Sequence, residues 1–560
     1  MNDSAARVPS ATTAPSHAER LFPRLTEAQI QRIAALGMRR QTTKDETLVE
    51  VGEASPFFVV VRGSLQVLSS SAGVETVIVT HGPGEFTGEA NLITGRRSLA
   101  RLRAIEDGEV VELDRSGLLA LIQTDAELSA ILMRAFILRR ADLIAGEYGA
   151  VTIVGSTHSA GTLRIREFLT RSGHPHRYID LDRDRDEQEL LDQFHIGVDD
   201  VPVMICGATV LRNPTNQQIA DCLGFNEAID EQQVRDLIIV GAGPAGLAAA
   251  VYGASEGLDV LVLEAGSAGG QAGTSSRIEN YLGFPTGISG IELTSRAYAQ
   301  ALKFGAEVMV AKGAVRLECR TPLNGVAIGN DATLIARAVI IASGAEYRKP
   351  SIENLKQFEG AGVYYAATQM EAQLCAGEEV FIVGGGNSAG QAAVFLASAA
   401  RRVHILVRKD GLAETMSRYL IRRIEESSAI QLQPHCEIVA LEGDGHLERV
   451  RWRDNKTGIS KTSLIQHVFI MAGAVPNTDW LNRCVVVDDK GFVKTGLDIS
   501  KDELSDAGWS LTRPPYLLET SRPGVFAVGD VRAGNIKRVA SAVGEGSIAI
   551  SFVHRFLNAS

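Results

Sequence analysis

Gly241, Gly243 and Gly246 stand in G-x-G-x-x-G spacing, and an acid, Glu264, follows about twenty residues later. Residues 236–266 read DLIIVGAGPAGLAAAVYGASEGLDVLVLEAG: an apolar strand, the glycine turn with Pro244 and Ala245, an Ala-rich helix and a second strand. Such a turn binds a dinucleotide. Gly241 permits the turn, Gly243 lets a pyrophosphate reach backbone amides, and Gly246 lets the helix lie close on the strand. Glu264 is placed to accept both hydroxyls of an adenosine ribose. The design recurs in EEVFIVGGGNSAGQAAVFLASAARRVHILVRKDG (378–411), with Gly384, Gly386, Asn387, Ser388 and Ala389 at the turn. Its second strand ends not on an acid but on Arg408 and Lys409, which suit a 2′-phosphate and so NADPH; the alternative is a solvated basic loop. A charge-assisted hydrogen bond of about 1.5–3 kcal/mol there is a preference of roughly tenfold to a hundredfold. Two nucleotide loops in one chain point to electron transfer between two cofactors.

Two further segments suit a flavin. GVFAVGD (524–530) delivers Asp530 at the end of a buried strand, where a carboxylate accepts a ribityl hydroxyl. The helix expected to begin near Lys537, Arg538 and Val539 aims its N-terminal amides at a flavin carbonyl. GGQAG (269–273), with Gly270 and Gln271, precedes ENYLGFP (279–285), with Asn280, and lets backbone lie along the cofactor.

The elements that carry these loops fall into three blocks of a 560-residue chain, enough for three or four domains. Residues 1–20 form a polar Ala/Ser/Thr/Pro tail without the apolar core of a signal peptide. Residues 21–145 alternate short apolar segments such as FFVVVRGSLQVL with glycines, then turn helical, with Leu118, Leu119, Ile122, Leu128, Ile131, Leu132, Ala135 and Ile137 on one stripe. Residues 150–225 read βαβαββα, including a charged helix over 185–194, and a polar linker follows. The last block divides into 234–345 with 476–560, around 346–475. Composition agrees with an α/β protein: Gly 55 and 6% aromatic residues. With 56 basic against 67 acidic residues the net charge is −11, which argues against nucleic acid as a partner. Six cysteines without a CxxC pair fit neither a disulfide framework nor a zinc site, so no metal and a reducing, cytoplasmic setting are expected. No membrane span is expected, because the most apolar stretch is the first glycine loop.

Across about 325 residues the last block resembles the low-molecular-weight thioredoxin reductases, through GAGPAG, GGQ, ENYLGFP, IIASGA (340–345), VGGGNSA, AGAVPNT (472–478) and GVFAVGD in that order. The resemblance implies an FAD domain split around an NADPH domain, a homodimer, and rotation of one domain against the other. It departs where that family carries its redox CxxC: GVYYAATQMEA (362–372) has Ala366 and Gln369 at the cysteine positions, neither of which can form a disulfide. The middle block resembles a glutaredoxin, with Ser159 and Thr162 in place of its cysteines, Pro202 at its cis-proline position and His158 at the helix start. Cys206 and Cys222 there read as structural. The first block resembles a cyclic-nucleotide-binding domain: GEFTGEANLITGRRSLARLRA (84–104) supplies Gly88 and Glu89, while Ser98 takes the place of the phosphate-pairing arginine, with Arg97 and Arg96 just before it. Cyclic nucleotide, another ligand or none stay open. No helix-turn-helix follows.

The expected fold is therefore multidomain: a cyclic-nucleotide-binding-like β-roll, an α/β thioredoxin-like domain, and two Rossmann-like domains for FAD and NAD(P). The expected function is NADPH oxidation through FAD to an unidentified protein or small-molecule acceptor. Two alternatives stand beside it: disulfide reduction through a non-standard thiol such as Cys375, and a nucleotide-gated sensor or scaffold with little turnover.

Overall fold

A computed structural model describes residues 17–71, 74–88, 91–145, 151–157, 159–181, 201–206, 209–319, 323–329 and 332–559. The chain forms two compact units, Met1–Ala150 and Val151–Ser560.

In the first unit, strands Met38–Thr42, Gly108–Leu113 and Phe57–Arg62 form one antiparallel sheet. Thr47–Val49, Arg101–Ala104, Leu65–Ser71 and Val74–His81 form the second. Side chains from both, among them Phe58, Val60, Leu65, Leu102 and Val110, make one apolar core. Strand Phe57–Arg62 does not alternate: its first four residues are all buried. Phe57 faces away from the roll onto Phe86 and Phe136, with ring centroids 5.7 and 6.2 Å off, so a helix covers that side. The expected helical stripe is two helices, Arg115–Thr124 and Ala126–Ala145. Asp114 caps the first through the Gly117 amide at 2.7 Å, and Asp125 caps the second through Leu128 at 3.0 Å. Leu118, Ile122, Leu128, Leu132 and Ala135 are buried as the stripe requires, but Ile137 is exposed; Leu121 and Phe136 are buried as well.

The second unit opens with a four-stranded sheet ordered Thr209–Arg212, Val203–Cys206, Val151–Gly155, Arg177–Asp180. Val151–Gly155 runs parallel to Arg177–Asp180 and antiparallel to Val203–Cys206, and helices Ala160–Arg171 and Asn216–Cys222 accompany it. The charged helix expected over 185–194 lies outside the described residues. A seven-stranded sheet follows, with parallel strands Glu307–Met309, Val260–Leu263, Val234–Val240 and Ala332–Ile341, and an antiparallel edge of Asn324–Ile328 and Ala314–Cys319. Its seventh strand, Val525–Ala527, pairs in parallel with Ala332–Ile341 from far along the chain. Between them lies a five-stranded parallel sheet of Val363–Tyr364, His467–Ile470, Glu379–Val383, Arg402–Val407 and Ile430–Pro434. A two-stranded ribbon, Ala345–Tyr347 against Ala474–Pro476, carries the chain out to this sheet and back. The unbroken apolar runs of both glycine-loop strands follow from parallel sheets covered on both faces.

One buried charge holds the returning strand. Glu519, 0% exposed, accepts from both Arg513 terminal nitrogens at 2.6 and 3.1 Å, from the Tyr516 amide at 2.9 Å and from the Gly524 amide at 3.0 Å. Removing a buried partner of this kind costs about 3–5 kcal/mol. In Glu519→Ala, amide hydrogen exchange should show the Val525–Ala527 strand losing about a hundredfold or more in protection, with the Glu379–Val383 strand unchanged.

Candidate functional site

Strand Val234–Val240 ends in Gly241 at φ +108°, where a Cβ would lie 2.2 Å from the Ala342 carbonyl oxygen. A Cβ on Gly246 would lie 1.8 Å from the Gly241 carbonyl oxygen. Helix Pro244–Ser255 starts there with Gly243 as its N-cap, Pro244 in its first turn and Ala245 buried; no side chain caps its amides. Gly243 itself has open space beside it: the one heavy atom near its Cβ position is the Gly270 Cα at 3.9 Å. Glu264 accepts the Ala242 and Gly266 amides, each at 2.8 Å. Burial pushes its carboxyl up; those two amides pull the other way.

Three other segments converge on this loop. A Cβ on Gly270 would lie 2.9 Å from the Gly243 Cα, so the two backbones nearly touch, and Gln271 Nε2 donates to the Ala345 carbonyl at 2.6 Å. Gly529 backs onto Ala245 and positions Asp530, whose carboxyl is raised by burial and opposed by the Lys537 charge. Lys537 Nζ donates to the Asp530 carbonyl at 3.1 Å, and the following helix, Val539–Ala559, begins with Val539 packed on Ala272, Ile278 and Ile288. Arg538 and Asn280 are exposed.

The second loop repeats the geometry with a different outlet. A Cβ on Gly384 would lie 2.4 Å from the Met471 carbonyl oxygen, whereas beside Gly386 the space is open. Helix Asn387–Leu396 begins there with Ala389 fully buried; Asn387 Oδ1 accepts the Ser417 amide at 2.8 Å, and Ser388 bonds to the Tyr347 hydroxyl. Arg408 and Lys409 are exposed just past strand Arg402–Val407, with Lys409 Nζ 2.6 Å from Glu414. Between the loops runs a narrow cleft lined by Thr274, Ser275, Tyr347, Ala366 and Ser388, where Ser275 and Ala367 form a backbone bridge. Gln369 is exposed and opens the short helix Gln369–Leu374. Cys375 is 0% exposed, its thiol pushed up to about 11 by burial, so it stays protonated and out of reach of a partner.

Helix Ala160–Arg171 spans from Gly360 to Gly270, beside the first loop. At its start Ser159 caps the Thr162 amide at 3.5 Å, Thr162 is fully buried, and Pro202, behind a cis Val201–Pro202 bond, packs on Gly161. The same turn abuts Gly360, where a Cβ would lie 2.7 Å from Ala160 Cβ, and Leu163 joins the core of Tyr364, Ala367 and Ala372. At its other end Arg171 donates to the Gly270 carbonyl at 2.8 Å. Cys206 and Cys222 are half-buried against the core of this sheet. His158 lies outside the described residues.

The first unit holds a cavity of about 320 Å³, walled by apolar groups such as Phe22, Val79 and Leu102. Gly88 and Ser98 line it; Ser98 turns its hydroxyl onto the Ala100 carbonyl at 2.8 Å. Arg97 points to solvent, and Arg96 is the buried neighbour at the wall. Glu89 lies outside the described residues. Sequence reasoning missed Arg139, which sits in the wall between the Phe22 and Phe86 rings and donates to the carbonyls of Leu21, Phe86 and Gly88 at 2.9, 3.0 and 2.8 Å. The available signal was an arginine three residues past Phe136 on an apolar helix face.

Residues 235–546 match the family model described as pyridine nucleotide-disulphide oxidoreductase, and residues 39–125 match the cyclic nucleotide-binding domain. The thioredoxin reductase of Mycolicibacterium smegmatis is 35% identical over 327 residues, 58% of this chain and 97% of that protein. That of Bacillus subtilis (strain 168) is 32% identical over 329 residues, 59% of this chain and 96% of that protein. Among solved structures, Lactococcus lactis thioredoxin reductase in its FR conformation aligns with a TM-score of 0.52 and 27% identity, covering 58% of this chain and all of that one. The T. acidophilum thioredoxin reductase aligns with a TM-score of 0.51 and 28% identity, over 58% of this chain and 99% of that one.

Beside the cavity, Glu85 is held down at about 2 by His81, the Gly82 amide at 3.1 Å and Arg24 at 3.2 Å, against the opposing effect of burial. A carboxylate depressed in the folded state stabilises above its unfolded value, and that stability disappears as pH falls through the folded one. Protection factors for strand Phe57–Arg62, whose Val60 amide bonds to the Glu85 carbonyl at 2.9 Å, should therefore fall between about pH 4.5 and about pH 2. Glu85→Gln should flatten that dependence.

Proposed function

Because the chain belongs to the pyridine nucleotide-disulphide oxidoreductase family, matched over residues 235–546, we propose that it oxidises NADPH through FAD and hands the electrons to an acceptor that docks without a resident disulfide. The observation that carries this reading is the pair of glycine cradles on either side of a cleft lined by Ala366 at one redox-cysteine position, with Gln369 exposed at the other. The open space at Gly243 and Gly386, each beside helix amides that no side chain caps, fits a phosphate-bearing cofactor that a Cβ would crowd.

FAD, when bound, supplies a two-electron carrier that NADPH reduces. For FAD, Gly241, Gly243, Pro244, Ala245 and Gly246 offer the pyrophosphate turn, Glu264 the ribose acceptor, Gly270 and Gln271 the lining, and Asp530 the acceptor for the ribityl chain. The first turn of Val539–Ala559 would offer its amides to the flavin ring. For NADPH, Gly384, Gly386, Asn387, Ser388 and Ala389 form the turn, and Arg408 and Lys409 meet the 2′-phosphate once Lys409 exchanges Glu414 for it. Burial keeps Cys375 from serving as a substitute thiol. A homodimer is favoured by Leu497 and Leu517, exposed at 92% and 60% beside the stacked Tyr516 and Phe552 rings. Six unbonded cysteines suit a cytoplasmic setting.

A second reading, a nucleotide-gated sensor, rests on helix Ala160–Arg171, which belongs to the glutaredoxin-like segment and touches Gly360 at one end and Gly270, beside the first loop, at the other. The cavity of the first unit, with Gly88 and Ser98 in its wall, would take a nucleotide or another small ligand.

Anaerobic titration of the FAD-loaded protein with NADPH should bleach the flavin, and steady NADPH consumption should follow with ferricyanide or a quinone. An FAD-loaded protein that never bleaches would sink the proposal; slow turnover with every acceptor, joined to nucleotide-dependent partner binding, would favour the sensor. Replacing Arg408 and Lys409 together by Ala should raise KM for NADPH about tenfold to a hundredfold and leave kcat nearly unchanged.

A further inference from the structure

The six cysteines include no CxxC, yet folding brings two of them together from 165 residues apart. Cys319 ends the strand Ala314–Cys319 at the antiparallel edge of the seven-stranded sheet. Cys484 lies just past the turn Asp479–Leu481, where the chain re-enters this half of the unit after the ribbon strand Ala474–Pro476. The Cys319 amide donates to Cys484 Sγ at 3.2 Å. In its neutral form Cys484 donates to the Leu317 carbonyl at 3.3 Å. Arg522 Nε fixes the Cys484 carbonyl at 3.1 Å, and buried Leu317, Leu481 and Val485 back the pair. Both cysteines are partly exposed, unlike Cys375.

The two sulfurs are not equivalent. The Cys319 amide, 3.2 Å from Cys484 Sγ, and the nearby Arg522 charge favour the thiolate on Cys484 and hold its thiol below the usual cysteine range against the opposing effect of burial. The Cys484 sulfur beside it, with burial, pushes the Cys319 thiol up. A partly exposed sulfur that accepts an amide thus stands beside a second, more strongly protonated thiol, the arrangement that a two-step thiol oxidation needs.

We propose that Cys484 and Cys319 form a two-cysteine site that reduces hydroperoxides and closes to a disulfide. The Cys484 thiolate attacks the distal peroxide oxygen; the O–O bond breaks, an S–O bond forms, and the departing oxygen takes a proton and leaves as water or an alcohol. Cys484 is then a sulfenic acid. The Cys319 sulfur attacks the Cys484 sulfur, the S–S bond forms, the S–O bond breaks, and the hydroxyl leaves as water with the Cys319 proton. Two electrons pass from the dithiol to the peroxide, and a small dithiol restores the site by exchange. The disulfide would close a loop around the whole inserted sheet, pinning the strand that precedes the ribbon to the segment that follows it.

The test is oxidation of the full-length protein by a small excess of hydrogen peroxide, with thiols counted after denaturation. Two of the six thiols should be lost, a cross-linked peptide pair carrying Cys319 and Cys484 should appear by mass spectrometry, and dithiothreitol should restore both. Cys319→Ser should stop at a dimedone-trappable sulfenic acid on Cys484, Cys484→Ser should lose peroxide reactivity at the site at least tenfold, and Cys375→Ser should behave as the parent. An unchanged thiol count in the parent protein, or losses mapping to Cys206, Cys222, Cys375 or Cys436, would overturn the proposal without reliance on any variant's folding.

Discussion

The second unit hangs on a contact that only hydrogen permits. A Cβ on Gly246 would sit 1.8 Å from the Gly241 carbonyl oxygen, so helix Pro244–Ser255 can lie against the end of its strand only because that atom is missing. The close approach turns uncapped amides outward, brings Ala242 to within 2.8 Å of Glu264, and leaves Ala245 as the floor on which Gly529 rests. From the other side, a Cβ on Gly270 would lie 2.9 Å from the Gly243 Cα. Any side chain at Gly246 would push the helix away and pull apart four segments of the chain at once. The Gly384 turn meets the Met471 carbonyl as Gly241 meets that of Ala342, while Ala389 stands in the place of Gly246, and the second strands deliver different groups: an acid at Glu264, two cations at Arg408 and Lys409.

Both places where cysteines are expected by resemblance fall in one packed neighbourhood. The start of helix Ala160–Arg171, with Ser159 and Thr162, lies against Gly360, and Leu163 enters the core that contains Ala367, next to Ala366. Burying Leu163 there contributes about 2 kcal/mol. With Thr162 fully covered, this helix end is committed to packing, and a thiol partner could not approach it. The opposite end grips the Gly270 carbonyl through Arg171, and Arg423 meets Glu279 at 2.7 Å across the cleft. Turning the inserted sheet about its ribbon would have to break these contacts.

What was legible in the sequence was what a short stretch of chain decides. The glycine turns, Glu264, Asp530, the short strands of the first unit and the exposed basic pair all rest on spacings of a few residues to about twenty. The sequence pattern also marked Arg115 to Arg140 as one stripe, but Asp125 breaks it and re-caps it, which moves Phe136 inward and Ile137 out. Around the cavity a shift of one residue exchanges Arg97 for Arg96, since a local match does not say which of two adjacent arginines the loop turns inward. Arg139, Arg171 and the meeting of Cys319 with Cys484 were not legible, because each depends on backbone or side-chain atoms many tens of residues away. Glu89 and His158 lie outside the described residues.

The pairing of Val525–Ala527 with Ala332–Ile341 also orders events in time. Until that last strand is made, the middle of the seven-stranded sheet keeps an open edge, and Gly529 cannot rest on Ala245. Nearly two hundred residues separate the two strands, which at about 5–20 residues per second is roughly 10–40 s of synthesis. All five strands of the inserted sheet emerge within that interval and need no partner from outside it. During synthesis the inserted half can therefore close first, while the half that flanks it in the chain waits, its glycine cradle incomplete, for a strand still inside the ribosome.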